Sequence, residues 1–407
     1  MATAPAASAA SAASASASAG RPDPLDLLGV DELLTEDERL IRDTVRAFTE
    51  RHIRPHLADW FEAGTFPVRE IAPELGKLGV LGMHLDGYGC TGSTATEYGV
   101  ACMELEAADS GLRSFVSVQG SLAMRSIHAF GSEEQKQRWL PELAAGRAVG
   151  CFGLTEPEVG SDPAAMRTRA RRDGGDWILD GAKMWITNGS VSDVAVVWAA
   201  TEDGVRGFLV PRGAPGFTAR DIPGKLSLRA SVTSELAFDG VRLPAEAMLP
   251  AARGLRAPLS SLGEARYGIL WGTVGAARDC YRAAVEYARD REQFGRPIGG
   301  FQLTQQKLVD MALELEKAYL VAVRIGRLKD EGRAQPAHIS FGKLNNVRTA
   351  LEIARTARTI LGANGITTAY PVLRHANNLE SVLTYEGTSE IHTLVLGEAI
   401  TGESAYR

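Results

Sequence analysis

Cysteine is scarce in this 407-residue chain. The four present, Cys90, Cys102, Cys151 and Cys280, are far apart. They match no metal-ligand spacing and build no disulfide framework, which suits a reducing compartment. The expected location is cytoplasmic, with the mitochondrial matrix as the alternative. Long apolar runs are also missing. None approaches the roughly 18 residues that cross a bilayer, so no membrane association is expected. Positive charge is not in excess: 44 Lys and Arg face 50 Asp and Glu, giving a net charge of −6. A partner held by phosphate contacts, such as nucleic acid, is therefore not expected. The chain has no G-x-S-x-G for acyl transfer and no Walker A loop. Its first twenty residues, "MATAPAASAASAASASASAG", lack arginine, a cationic start and a block of Leu, Ile or Phe. Neither a signal peptide nor a presequence fits, and residues 1–30 read as a disordered Ala/Ser tail.

What remains has the size of two or three domains, at about 150 residues each. Hydrophobic residues make up 45% and charged residues 23%, as in a globular enzyme or scaffold. Residues 31–150 read as helical. In "TEDERLIRDTVRAFTERHIRPHL", Leu40, Ile41, Val45, Phe48 and Ile53 recur at steps of three and four, and Thr35 before two acids marks a helix start. The texture changes over 151–258. Strand-length bursts such as "DWILDGAKMWITNG", "VAVVWAAT" and "SELAFDGVRL" alternate with turn residues, predicting a β domain. Helix returns over 259–407, where Leu308, Met311, Leu315, Ala318 and Val321 form another stripe. The order is that of an α+β protein with helical parts around a sheet domain. No repeat of solenoid length is apparent.

Several motifs invite chemistry. The G-x-G-x-x-G of Gly87, Gly89 and Gly92 follows a poor strand, so a loop between helices is expected rather than a nucleotide fingerprint. His52 and His56 are spaced for a metal, but no third ligand completes them, and surface histidines are expected. "CFGLTEPEVGSDP", Cys151–Pro163, packs hydroxyls, glycines and prolines into the junction of helix and sheet, where freed N–H groups can hold a polar ring edge. Trp185, Ile186 and Thr187 set an aromatic beside a hydroxyl at a strand end. Gly362 and Gly365 of "LGANG" allow close backbone approach. "TYEGTSEIH" breaks a helical run to expose a carboxylate, Glu386.

Taken in order, "LTEPEVGSDP", "KMWITN", "KLSLRASVTSEL", "YARDREQFGRPIGGFQ", "ILGANGI" and "YEGTSEIH" resemble the acyl-CoA dehydrogenase family over nearly the whole chain beyond the tail. "CFGLTEP", "DSGLRS", "GRLKD" and "NLESVLTYEGT" are most similar to the glutaryl-CoA dehydrogenases within it. The resemblance implies an N-terminal helical domain, a β domain and a C-terminal four-helix bundle. It implies FAD, a homotetramer, an acyl-CoA substrate and electron-transferring flavoprotein as acceptor. Phe152, Gly153, Leu154, Thr155, Gly160, Ser161, Trp185, Ile186 and Thr187 would line the flavin. Arg291, Phe294, Gln302, Thr359, Leu361 and Gly362 would reach the FAD of a neighbouring subunit, and Thr388 would also bind FAD. Glu386 would be the base that takes the α-proton of the thioester as hydride leaves the β-carbon. Gly387 beside it would let substrate approach, with Ser161, Arg266 and Tyr385 also at the substrate. Relatives that carry the base on the preceding helix do so at the position of Ala265, which supports Glu386.

Arg113 lies among few other charges in "ADSGLRSFVSVQ". A buried guanidinium without a partner is costly, and a substrate carboxylate would satisfy it. By resemblance, Arg113 and Ser114 would hold the distal carboxylate of a glutaryl chain, with Glu106 also in the site. The alternative is an internal acid such as Asp109 pairing with Arg113. Tyr385 and Glu106 resemble the decarboxylating enzymes, so oxidative decarboxylation to crotonyl-CoA is expected over dehydrogenation alone.

Overall fold

The computed structural model describes residues 22–406. The expected tail falls outside them up to residue 21. Residues 22–30 are not part of a detached tail: Val30 is buried, and the Leu27 N–H donates to Glu316 Oε1 at 2.9 Å.

The N-terminal helices are α1 (Glu36–His52), α2 (Leu57–Ala63), α3 (Val68–Leu78), α4 (Ala95–Ala108), α5 (Ser110–Ser117), α6 (Arg125–Phe130) and α7 (Glu133–Ala144). Thr35 caps α1 in a reciprocal capping box with Glu38. Its buried stripe includes Val45 and Ile53 with Ile41 and Phe48 packed against it, but Leu40 is 65% exposed. Leu40 is one step, about 100°, from Ile41, so the stripe turns it outward. The glycines of the G-x-G-x-x-G lie between α3 and α4 with left-handed backbones, a loop as expected. His52 and His56 are exposed and pack on Phe48 and Trp60.

The sheet domain has β1 (Gly150–Gly153), β2 (Arg169–Asp173), β3 (Asp176–Thr187), β4 (Val194–Thr201), β5 (Gly204–Pro211), β6 (Phe217–Asp221) and β7 (Thr233–Leu243). They run in the order β1-β4-β2-β3-β7-β6, with β5 on β4. Gln119, buried in the π-helical turn between α5 and α6, fastens this sheet to the helices. Its amide donates to the Leu143 and Ala148 carbonyls and accepts the Gly150 N–H. The pairing of β3 with β7 shifts register between Lys183 and Ile186, where Trp185 has φ 63°. This bulge brings the Met184 N–H to the Thr155 carbonyl at 2.9 Å and ties β3 to the loop after β1.

The C-terminal part comprises α8 (Arg256–Asp290), the short hairpin β8 (Glu292–Gln293) and β9 (Arg296–Pro297), then α9 (Gln302–Asp330), α10 (Pro336–Leu361), α11 (Val372–Thr384) and α12 (Ser389–Thr401). The helical part thus starts at Arg256, three residues before the expected boundary. Among the described residues no helix is long and apolar enough to cross a membrane.

One apolar core joins α4 to the C-terminal helices. Helix α4 is buried on nearly every side. It meets α8 at backbone distance: a Cβ on Gly275 would lie 1.8 Å from the Met103 carbonyl, and one on Gly99 would lie 2.5 Å from the Trp271 ring. This approach sets Glu106 against Gly272. Gly275→Ala should therefore destabilise the protein by about 1–3 kcal/mol or more through overpacking. Gly397→Ala, on α12 with nothing within 4 Å of the new methyl, should not destabilise it. Thermal unfolding of the two variants checks this, and equal melting would refute the close packing.

Candidate active site

The loop Tyr385–Gly387 joins α11 to α12. Thr388 begins α12 as its N-cap, its hydroxyl accepting the Ile391 N–H at 3.3 Å. That cap is its role in the chain, and its own O–H stays available to a ligand. Glu386 has φ 56° and Gly387 φ 90°, so a non-glycine residue sits in the left-handed region. Such a conformation costs on the order of 1–3 kcal/mol and persists only when the surroundings impose it. Here two cations do so. Arg266 Nε of α8 donates to the Glu386 carbonyl at 2.7 Å. Lys343 Nζ of α10 donates to the carbonyls of both Tyr385 and Gly387. A Cβ on Gly387 would meet His392 Nε2 at 3.1 Å and Arg266 Nη2 at 3.3 Å. The glycine therefore serves the turn and these neighbours; its missing Cβ does not face an open substrate path.

The Glu386 side chain is held by none of this. Its Oε2 is shielded from solvent and has no hydrogen-bond partner. Burial raises its pKa above the ordinary glutamate value, opposed by the charges of Arg266, Lys343 and Arg113. An unbonded, desolvated carboxylate is a stronger base than one in water. Glu264 cannot share the role. It pairs with Lys329 at 2.9 Å beside a separate cavity of about 340 Å³ that His84, Tyr98 and Arg125 also line.

Arg113 is buried, 2% exposed, but it is not left without a partner. Its Nε donates to Glu106 Oε2 at 2.7 Å, and its Nη2 donates to the Tyr385 hydroxyl. Nη1 makes no hydrogen bond among the described residues. The internal acid is thus Glu106, seven residues earlier and one helix away; Asp109 caps α5 and pairs with Arg374 and Asn378 instead. Burial disfavours the guanidinium charge, yet Glu106 and Tyr385 outweigh that and raise its pKa. The Tyr385 hydroxyl also lies 3.1 Å from Ser114 Oγ. The guanidinium is therefore bonded to the residue next to the base. Glu106 Oε1, like Glu386 Oε2, is buried without a partner.

The second constellation lies at the end of β1. Phe152, Gly153 and Leu154 are buried, Thr155 is half-buried, and Gly160 and Ser161 are exposed. The bulge in β3 turns Trp185 outward, 58% exposed, with Thr187 half-buried two residues on. Ile186 is buried in the sheet core, so only its backbone is offered to a ligand. An exposed indole, two hydroxyls and an open flank at Gly160 fit one edge and face of a planar heterocycle. Glu156 shapes this loop. Its carboxylate accepts the Arg167 and Thr168 N–H groups and the buried Lys183 ammonium. Burial would raise its pKa, but those bonds bring it down to about 2.

Arg291, Phe294, Gln302 and Gly362 are exposed around the β8–β9 hairpin and the end of α10. Thr359 bonds back to the Arg355 carbonyl, and Leu361 is buried. None of these residues hydrogen-bonds to the β1 loop or to Trp185–Thr187 among the described residues. Arg291 and Asn364 share an open cavity of about 590 Å³ with Tyr287 and Tyr370. Gly365 lets the turn after α10 pack back on that helix, since a Cβ there would lie 2.7 Å from the Arg358 carbonyl. Sequence reasoning missed Lys343 and His392. The available signals were a lysine in the apolar run "ISFGKLNN" and a histidine in "EIH".

Three family models cover this arrangement: acyl-CoA dehydrogenase N-terminal domain over residues 35–147, middle domain over 151–241 and C-terminal domain over 252–401. The chain belongs to the acyl-CoA dehydrogenase family. It is 36% identical over 370 residues to the human mitochondrial short-chain specific acyl-CoA dehydrogenase, covering 89% of this chain and 90% of that one. It is 66% identical to a crystal structure of glutaryl-CoA dehydrogenase from Mycobacterium smegmatis, with a TM-score of 0.94, 95% of this chain and 100% of that one. A structure of a glutaryl-CoA dehydrogenase from that organism in complex with FADH2 is 62% identical with the same TM-score and coverage.

In this acyl-CoA dehydrogenase, Glu106→Ala should strand the buried charge of Arg113 and cost about 3–5 kcal/mol. Adding Arg113→Met should restore much of that loss. Denaturant unfolding of the single and double variants measures the coupling; additive losses would show that the pair is not an energetic unit.

Proposed function

We propose that this enzyme catalyses the FAD-dependent oxidative decarboxylation of glutaryl-CoA to crotonyl-CoA and CO2. The observation that carries the reading is a buried guanidinium, Arg113, bonded through the Tyr385 hydroxyl to the residue preceding the base. A dicarboxylic chain fits such a site because its far carboxylate reaches Nη1 of Arg113 and Ser114 while its thioester end reaches Glu386. An uncharged chain leaves that donor unpaired, which disfavours it.

Trp185, Thr187 and the loop after β1 would hold FAD, which would supply the acceptor for the hydride of the β-carbon. The chain supplies the proton chemistry. Glu386 removes the α-proton, and its own N–H, which makes no bond in the described chain, is available to the thioester oxygen where negative charge develops. Loss of the γ-carboxylate from the unsaturated thioester leaves the bonding electrons on the chain as a dienolate. Protonation at the γ-carbon, with the proton that Glu386 took from the α-carbon, then gives crotonyl-CoA and restores the carboxylate. Glu106 moderates this end of the site. Its charge offsets part of that on Arg113, so the carboxylate is oriented without being held too firmly to depart as neutral CO2.

Electrons leave to electron-transferring flavoprotein, and the working form is a homotetramer. Exposed Phe294, Leu303, Leu313 and Phe341 support contact with further copies.

Arg113→Ala should lower kcat/KM for glutaryl-CoA about 10–100-fold more than for butyryl-CoA, the span of one or two charge-assisted hydrogen bonds. Equal losses would remove the carboxylate role. Mass analysis of wild-type products with a dye acceptor should show crotonyl-CoA and CO2. Glutaconyl-CoA without CO2 would favour the alternative, dehydrogenation of a short-chain or dicarboxyl acyl-CoA.

A further inference from the structure

Lys343 is a lysine in a place where burial disfavours charge. It is 2% exposed, and its pKa is pushed down by burial. It has no carboxylate partner in hydrogen-bond contact. Instead Nζ donates to the carbonyls on both sides of Glu386 and lies 5.9 Å from the centre of the Tyr385 ring. Ser340, one turn earlier on the same face of α10, bonds Nδ1 of His392 at 3.0 Å. Helix α10 therefore braces the catalytic loop and the start of α12 together.

A neutral donor would suffice to cap two carbonyls. A buried amine that is cationic below a pKa brought down to about 7 adds a positive charge, bonded on both flanks of the one carboxylate here without hydrogen bonds. We propose that Lys343 is a positioning residue for this base: it locks Glu386 in its left-handed backbone and, by its charge, keeps the carboxylate in the ionised form that accepts a proton. The part about proton acceptance rests on the function proposed above; the electrostatic part concerns the chain alone.

The other groups facing this pair are Arg266 from α8, Arg113 from α5, Tyr385 in the loop itself and His392 from α12. His392 is held down to about 3 by burial and by the charges of Lys343 and Arg266, so it adds no charge near neutrality. Arg113 is offset by Glu106. Arg266 and Lys343 are thus the two cations bonded to the backbone of the Glu386 loop, with Arg113 a smaller influence on the carboxylate.

The test is the pH midpoint of the Glu386 carboxylic-acid infrared band, assigned by its loss in Glu386→Gln and read without substrate. Lys343→Met and Lys343→Gln should move the midpoint up by about one pH unit or more, since a unit is the scale of one nearby charge. Lys343→Arg should stay near wild type. Flavin bleaching by glutaryl-CoA should show its acid limb displaced in parallel. Gln keeps a hydrogen-bond donor, so the Gln and Arg variants carry the comparison if Met impairs folding, which FAD content and circular dichroism report. A midpoint unmoved in the neutral variants overturns the proposal and leaves Lys343 as a structural brace. Failure of the wild type to bleach with glutaryl-CoA would overturn the substrate reading and leave the infrared result standing.

Discussion

Three successive carbonyl oxygens, those of Tyr385, Glu386 and Gly387, are each bonded to a buried or half-buried cation. The chain turns left-handed at the one residue that must offer a bare carboxylate, and these bonds impose that turn. Each cation comes from a different long helix: Lys343 from α10 and Arg266 from α8. The base is therefore aligned by the bundle rather than by its own loop. Placing the cations on backbone oxygens also leaves the Glu386 side chain without hydrogen bonds, which keeps the carboxylate basic.

The same logic extends to the far end of the site. Arg113 is satisfied on one side by Glu106 and on another by the hydroxyl of Tyr385, and it keeps a donor free. Its position depends on α4 and α8 meeting closely, Gly275 against the Met103 carbonyl and Gly99 against the Trp271 ring, because that contact fixes where Glu106 can reach. A packing constraint between two helices thus becomes a constraint on the distance between cation and base. The sheet domain joins this frame through Gln119, and its bulge at Trp185 turns an aromatic ring out of the sheet beside the β1 loop.

Much of this was legible in the sequence, for physical reasons that differ by element. The change from periodic helix to short β-branched bursts marked the sheet domain because side-chain period follows backbone geometry. Glu386 stood out because a carboxylate and a glycine interrupted an apolar helical run. Leu40 misled, since one residue of phase turns a helical side chain outward. Arg113 was expected to meet a substrate carboxylate, with an internal acid such as Asp109 as the alternative; the acid is instead Glu106, which the turn at Asp109 folds back onto it. Lys343 and Ile186 were opaque for a related reason. A lysine reads as surface and a strand-end isoleucine as part of a binding face until packing shows which way each points.

The most direct test of the central claim is a crystal structure of the FAD-loaded Glu386→Gln variant with glutaryl-CoA bound. The expected result has the distal carboxylate within hydrogen-bond distance of Arg113 and Ser114 and the α-carbon against residue 386. A carboxylate directed away from Arg113, with the thioester still at residue 386, would contradict it.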